Sequence, residues 1–115
     1  MLSIVMEFRK GILFVRLKGK LIKDTVKEFQ EDVIYRIQNN GIHNVVINIE
    51  ELEDLDLKGM NALLYCYESC KKNKGTALLC GITKDSIKQR ISKGRLCNYM
   101  FMINNELEAL EQVKI

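Results

Sequence analysis

Apolar and polar side chains alternate along the first 17 residues of the chain, which predicts two β-strands joined by a tight turn. Residues 3–8 and 12–17 both alternate, and the link Arg9-Lys10-Gly11 contains the glycine that short hairpin loops favour. Lys18-Gly19-Lys20 is expected to end the second strand. The pattern therefore predicts an antiparallel hairpin at the start of the chain.

Farther along, apolar residues recur every three or four positions, which is the period of an α-helix. The first helix is expected to open at Asp24 or Thr25, because both residue types cap helices, and to stop at Asn39-Asn40-Gly41. The apolar positions of the four predicted helices are Val26, Phe29, Val33, Ile34 and Ile37; Met60, Leu63, Leu64 and Tyr67; Ile87 and Ile91; and Leu107, Leu110 and Val113.

Three short apolar runs lie between these helices and predict further strands at residues 45–49, 76–82 and 99–103. The element order is then β-β-α-β-α-β-α-β-α. Alternating strands and helices form parallel sheets covered by helices, whereas the first hairpin adds an antiparallel edge. We therefore predict an α/β fold with a mixed, mostly parallel β-sheet and about four helices, in one domain spanning residues 1–115.

The composition narrows the class of protein. The chain has 115 residues, of which 47% are hydrophobic, and a net charge of +3, which by itself does not indicate nucleic-acid binding. No stretch approaches the roughly 20 apolar residues of a membrane span, and the first residues lack the features of a signal peptide. We expect a soluble cytoplasmic domain that does not insert into a membrane.

The four cysteines, Cys66, Cys70, Cys80 and Cys97, raise the question of a metal site. Cys66 and Cys70 are four residues apart and would share one helix face. The chain has a single histidine, His43, and no CxxC motif, so buried or half-buried thiols are favoured over zinc ligands. No catalytic triad, glycine-rich phosphate loop or cofactor motif is present. We predict no catalytic residue, metal or cofactor.

The junction between the third strand and the second helix, residues 54–59 with the sequence DLDLKG, is where α/β proteins often carry function. Its lysine, Lys58, follows five acidic residues: Glu50, Glu51, Glu53, Asp54 and Asp56. Their spacing does not match a calcium loop, and the acidic pair that a phospho-accepting receiver domain needs after its first strand is missing. A solvated loop is the favoured interpretation of this run, and a partner-facing surface is the second.

A basic stretch lies near the predicted third helix and contains Lys84, Lys88, Arg90, Lys93 and Arg95. A nucleic-acid surface would have aromatic residues between the cations or a recognition-helix motif, and neither is present. A solvated helix face is the favoured interpretation.

The element order and several short motifs together resemble the STAS domain, and more narrowly the small stand-alone bacterial anti-anti-sigma factors. The motifs are VRLKGKL at residues 15–21, a helix opening at Asp24-Thr25, GIHNVVINIEEL at residues 41–52, the D-x-x-G junction and a turn at Gly94-Arg95-Leu96. In that family the unmodified protein binds an anti-sigma factor, which is also a kinase with a histidine-kinase-type ATPase fold. Phosphorylation of a junction hydroxyl abolishes the binding.

The family junction reads D-S-[ST]-G-L-G, and this chain has no hydroxyl residue at either of the two aligned hydroxyl positions. Asp56 and Gly59 match, while Leu57 and Lys58 stand at the two hydroxyl positions and Asn61 at the second glycine. A kinase that acts on hydroxyls cannot modify Lys58. Its long side chain can instead reach toward the preceding acidic residues, and Lys58 is either neutral surface drift or a partner contact.

The resemblance implies a non-enzymatic interaction module that binds an anti-sigma factor or ATPase-fold kinase without a Ser/Thr phospho-switch. Asp56, Leu57, Lys58, Gly59 and Asn61 are the predicted partner-binding residues, with Asp56 as polar anchor and Gly59 allowing close backbone approach. The alternatives are a scaffold subunit of a larger signalling or transport assembly and a small-ligand or nucleotide sensor. The sequence does not indicate the oligomeric state.

Overall fold

The computed structural model describes residues 1–113, which form a five-stranded sheet and four helices. The strands are β1 Leu2–Arg9, β2 Ile12–Leu21, β3 Asn44–Leu55, β4 Thr76–Cys80 and β5 Phe101–Ile103. The helices are α1 at residues 26–39, α2 Leu57–Lys72, α3 Asp85–Lys93 and α4 Glu106–Gln112. Within α1 the segments are Val26–Phe29, a π-helical Gln30–Ile34 and Tyr35–Asn39, and a 3₁₀ turn, Leu96–Asn98, precedes β5.

The sheet has the strand order β1-β2-β3-β4-β5, with only the first pair antiparallel. The hairpin register places Arg9 opposite Ile12, so the turn consists of Lys10 and Gly11. Both turn residues have positive φ, of 52° and 80°, as a two-residue hairpin turn matched to the strand twist requires. The predicted mixed, mostly parallel α/β fold is therefore confirmed.

The two faces of the sheet are covered unequally. The larger core contains buried residues of β2, β3 and β4 together with those of α1, α2 and α3, among them Phe29, Leu63 and Ile87. A smaller cluster on the opposite face consists of Ile12, Phe14, Val46, Leu78, Cys80, Ala109 and Val113. The central strand β3 thus contributes Val45 and Ile47 to one core and Val46 to the other, which explains its nearly continuous aliphatic sequence.

Two strands are longer than the sequence predicted. β2 continues to Leu21 instead of ending at residues 18–20, and β3 runs through the acidic segment to Leu55. The expectation of a solvated acidic loop was wrong, because residues 51–55 pair in parallel with the extended end of β2. Two register shifts in this pairing, and Gly19 at φ +101°, interrupt the simple alternation that marks a strand.

Two strands are shorter than the sequence predicted. β4 ends at Cys80 and not at residue 82. β5 begins at Phe101, because Tyr99 directly follows the 3₁₀ turn. Each difference is two residues, within the range in which the ends of elements are set by tertiary contacts.

The C-terminal helix α4 is fixed to its face of the sheet by Glu106. Arg16 donates two hydrogen bonds to the Glu106 carboxylate, both of 2.8 Å, and Asn48 donates a third, also of 2.8 Å. Arg16 also lies 3.2 Å from a carboxylate oxygen of Glu7. The Arg16 guanidinium and the Asn48 amide hold the pKa of Glu106 below its ordinary value, although partial burial opposes this shift.

Replacing Glu106 with Gln is expected to lower the free energy of unfolding by about 1 kcal/mol at neutral pH, since Arg16 is partly exposed and solvent screens the pair. A carboxyl whose pKa is depressed on folding contributes stability above its unfolded pKa and loses it as the pH falls through the folded value. The difference between wild type and Glu106→Gln in urea unfolding should therefore shrink as the pH is lowered below about 4. A difference that stays constant as the pH is lowered further below about 4 would contradict the ion pair.

Candidate interaction surface at the strand–helix junction

Asp56 forms the corner between β3 and α2 as the N-cap of the helix. One carboxylate oxygen accepts a 2.7 Å hydrogen bond from the Gly59 N–H, which is one of the orphan donors of the first turn. The other oxygen accepts a 2.9 Å hydrogen bond from the Lys23 N–H in the loop between β2 and α1. Both oxygens are engaged within the chain, so Asp56 shapes the predicted surface and joins two loops.

Replacing Asp56 with Ala is expected to lower the free energy of unfolding by roughly 1–2 kcal/mol, because a helix cap and a loop contact are lost together. The control Asp56→Asn keeps one acceptor oxygen and should lose less. Urea unfolding followed by circular dichroism measures both. Wild-type stability in Asp56→Ala would show that the cap contributes nothing.

Gly59 is buried where α2 crosses the end of β2. A Cβ atom at this position would overlap with the carbonyl oxygen of Leu21 and would lie 2.9 Å from Cδ1 of Leu55. Gly59 therefore allows a close approach between two segments of the chain itself, and its predicted contact with a partner stays a prediction. Its effect is to bring the start of α2 against the β2–α1 loop.

The other predicted residues face solvent. Leu57 is 63% exposed although it is a large apolar side chain, and Lys58 and Asn61 are exposed beside it. Within residues 1–113, Lys58 has no carboxylate within 4.0 Å, so the expected contact with the preceding acidic residues does not form. The junction therefore presents an uncompensated cation next to an exposed aliphatic side chain.

Two shallow grooves flank this ridge. The first, here called the α1 groove, lies between α1 and α2, and Lys23, Lys58 and Tyr65 are among the residues that line it. The second, here called the α3 groove, lies between α2 and the end of α3, and its lining includes Leu57, Lys93 and Arg95. Asn61 lines both grooves.

The charged and aromatic residues of this surface that were not predicted as partner-binding are Lys23, Tyr65, Lys93 and Arg95. Lys93 and Arg95 belong to the basic stretch that was interpreted as a solvated helix face. Their position in sequence carries no signal of proximity to Lys58, because only the packing of the 3₁₀ turn after α3 against α2 brings them there.

The acidic residues before the junction contact other parts of the surface. Glu51 lies 3.8 Å from the ammonium of Lys18 on the neighbouring strand, and the backbone carbonyl of Glu50 accepts a 3.1 Å hydrogen bond from Lys84. Among the described residues, no three His, Cys, Asp or Glu side chains are grouped so as to hold a metal ion. None of the helices within residues 1–113 is both long and apolar enough to cross a membrane.

None of the four cysteines lines either groove of the junction surface. Cys66 and Cys70 share one face of α2, as their spacing predicted, and both are buried in the main core. A hydrogen bond with Cys70, together with burial, raises the pKa of the Cys66 thiol. Burial raises the pKa of Cys80 to about 12, whereas Cys97 is exposed. The three buried thiols act as small apolar side chains.

Comparison with known proteins identifies relatives of the whole chain. The family model described as the STAS domain matches residues 3–109. The anti-sigma F factor antagonist of Paenibacillus polymyxa is 25% identical over 114 residues, which cover 99% of this chain and 97% of that protein.

Solved structures share the same architecture. A putative anti-sigma factor antagonist from Thermotoga maritima superimposes with a TM-score of 0.88 at 14% identity, over 96% of this chain and 93% of that one. The Bacillus cell fate determinant SpoIIAA in its phosphorylated form gives a TM-score of 0.73 at 18% identity, over 97% and 100% of the two chains. At these identities the likeness shows the fold.

Proposed function

Since the chain belongs to the STAS domain family, we propose that it acts as an anti-sigma factor antagonist through the junction surface. The observation that carries this proposal is the exposed ridge of Leu57, Lys58 and Asn61 on a rigid helix corner. An exposed aliphatic side chain can serve as an apolar anchor and a neighbouring cation without an ion pair as a charged contact, and the two together suit a protein partner.

The partner in this proposal is an anti-sigma factor with a histidine-kinase-type ATPase fold. Residues 54–61 contain neither serine nor threonine, so the junction offers no hydroxyl for phosphorylation. A cation at Lys58 is opposite in charge to the phosphate that ends binding in the family. The chain would therefore remain in the binding state whether or not its partner has ATP.

The rigidity of the corner supports such a role. The two hydrogen bonds of Asp56 and the tight packing of Gly59 fix the backbone on which the ridge stands. A preorganised surface loses little conformational freedom when it binds, which favours affinity. The proposed role is binding alone and needs no catalytic group.

The test is a calorimetric titration of the chain against each ATPase-fold anti-sigma factor of its source organism, with and without ATP. We expect one of them to bind with the same affinity in both conditions, and mass spectrometry of the junction peptide to show no phosphate. If none of these proteins binds, the proposed function is wrong. Binding that ends on incubation with ATP would overturn the absence of a switch.

A further inference from the structure

The charge pattern of the junction surface does not follow from membership of the STAS domain family. Lys23 and Lys58 line the α1 groove, and Lys93 and Arg95 line the α3 groove. No aspartate or glutamate lines either groove. We propose that the two grooves dock an acidic protein surface, with carboxylates on both sides of an apolar pocket that receives Leu57. This inference rests on the proposed function, because it specifies the partner chemistry of the same surface.

The four cations are available for such a partner. Within the part of the chain that the structure describes, none of them lies within 4.0 Å of a carboxylate, whereas Arg9, Arg16, Lys18 and Lys27 all have such partners. The positive end of the α2 dipole points toward the same ridge and adds to the potential. Asp56 is the acidic residue at this corner, and two backbone N–H groups already occupy its oxygens.

The exposed aliphatic side chain of Leu57 favours a protein over a nucleic acid. Leu57 is 63% exposed and lines the α3 groove together with Lys93 and Arg95, so a surface bound there must accommodate an aliphatic side chain beside these cations. An aliphatic anchor surrounded by charged contacts is the usual arrangement of a protein–protein interface. A nucleic-acid strand would instead require a continuous basic track with several stacking aromatics, and Tyr65 is the aromatic residue that lines the α1 groove.

The surface that docks in the grooves must carry negative charge. Lysine and arginine side chains without partners repel a basic surface and attract carboxylates, so they select the partner and accelerate its association. The attraction should decrease with ionic strength, since these side chains are solvent-exposed. An acidic amphipathic helix, with glutamates flanking a row of leucines, reproduces the required chemistry in a small probe.

The experiment maps amide chemical shifts of the full-length ¹⁵N-labelled chain during titration with that acidic peptide. We expect shifts concentrated at Leu57, Lys58, Asn61 and Arg95, and a dissociation constant that rises with salt. A matched peptide with lysine at every glutamate position should cause no shifts there. Shifts that are absent, or that centre on Lys84 and Lys88, would overturn the proposal, and so would equal binding of the two peptides.

Charge-reversal variants test whether binding depends on the cations of the grooves or only on the net charge of the protein. The double variant Lys58→Glu with Arg95→Glu should weaken acidic-peptide binding by about 10-fold or more, as expected for reversing close charge contacts. The control Lys84→Glu with Lys88→Glu changes the net charge equally on the exposed part of α3 and its cap, and should stay within about 2-fold of wild type. Equal weakening by both pairs would overturn a groove-specific site.

A single-stranded oligonucleotide and phosphatidylglycerol vesicles complete the titrations. Stronger shifts at the junction with either than with the acidic peptide would overturn the protein partner in favour of an anionic polymer or a membrane. The mapping does not use an anti-sigma factor, so its outcome is separate from that of the proposed function. If every anti-sigma factor titration fails but the acidic peptide causes the expected shifts, the partner family is rejected while the proposal that the grooves dock an acidic surface stands.

Discussion

Replacing Gly59 with Ala is expected to lower the free energy of unfolding by roughly 1–3 kcal/mol, the cost of overpacking a filled site. In an exposed helix position the same change would stabilise by up to about 1 kcal/mol, because alanine is the better helix former. Here the added methyl group overlaps with the carbonyl of Leu21, a backbone atom that cannot rotate away. Urea unfolding of wild type and variant measures the difference.

Gly94→Ala is the matched control for this prediction. Its nearest contact is the sulfur of Met60 at 3.2 Å, which belongs to a flexible side chain that can shift. We expect a change within about 0.5 kcal/mol. Wild-type stability in Gly59→Ala, or an equal loss in both variants, would show that the close approach of α2 to β2 is not a constraint.

Lys58→Glu is expected to weaken binding to the anti-sigma partner by about 1–3 kcal/mol, the range for disrupting a charged contact at an interface. The substitution places negative charge where the family has its phosphate, next to a ridge that we propose meets carboxylates. Lys58 is exposed and has no carboxylate within 4.0 Å among the described residues, so folding should be unaffected. Calorimetric titration gives the affinity, and circular dichroism verifies the fold.

Two further variants serve as comparisons for Lys58→Glu. Lys72→Glu makes the same charge change at the exposed C-terminal end of α2 and should leave the affinity nearly unchanged. Lys58→Ser restores a hydroxyl and should create a switch only if the partner is an active kinase. Unchanged affinity of Lys58→Glu would place the interface elsewhere and make Lys58 neutral surface drift.

The fold was largely predictable because its signals are local. Alternation over residues 3–17 with Lys10-Gly11 between the strands specifies the hairpin, and the helical period specifies the elements that follow. The order of strands and helices then limits the topology to a mixed sheet. The junction predicted at residues 54–59 is found between β3 and α2, where Asp56 caps the helix through its own side chain.

The paired ends of β2 and β3 were missed because their stability is not local. The acidic sequence of residues 50–54 is typical of a loop, yet Leu52 and Leu55 are fully buried and hold the segment in the sheet. The bulged register that allows this pairing includes Gly19 at positive φ, and it breaks the alternation on which strand prediction depends.

For the candidate site too, some features follow from the sequence alone and others only from the tertiary structure. The sequence alone located the junction and showed that residues 54–61 contain no serine or threonine, since these facts depend on identity and order. The tertiary structure alone decided that the oxygens of Asp56 are used internally, and that Lys93 and Arg95 join Lys58 on one surface. The reason is distance along the chain, because Lys23 reaches Asp56 only through the tertiary fold, and Lys93 and Arg95 reach Lys58 only when the turn after α3 packs against α2.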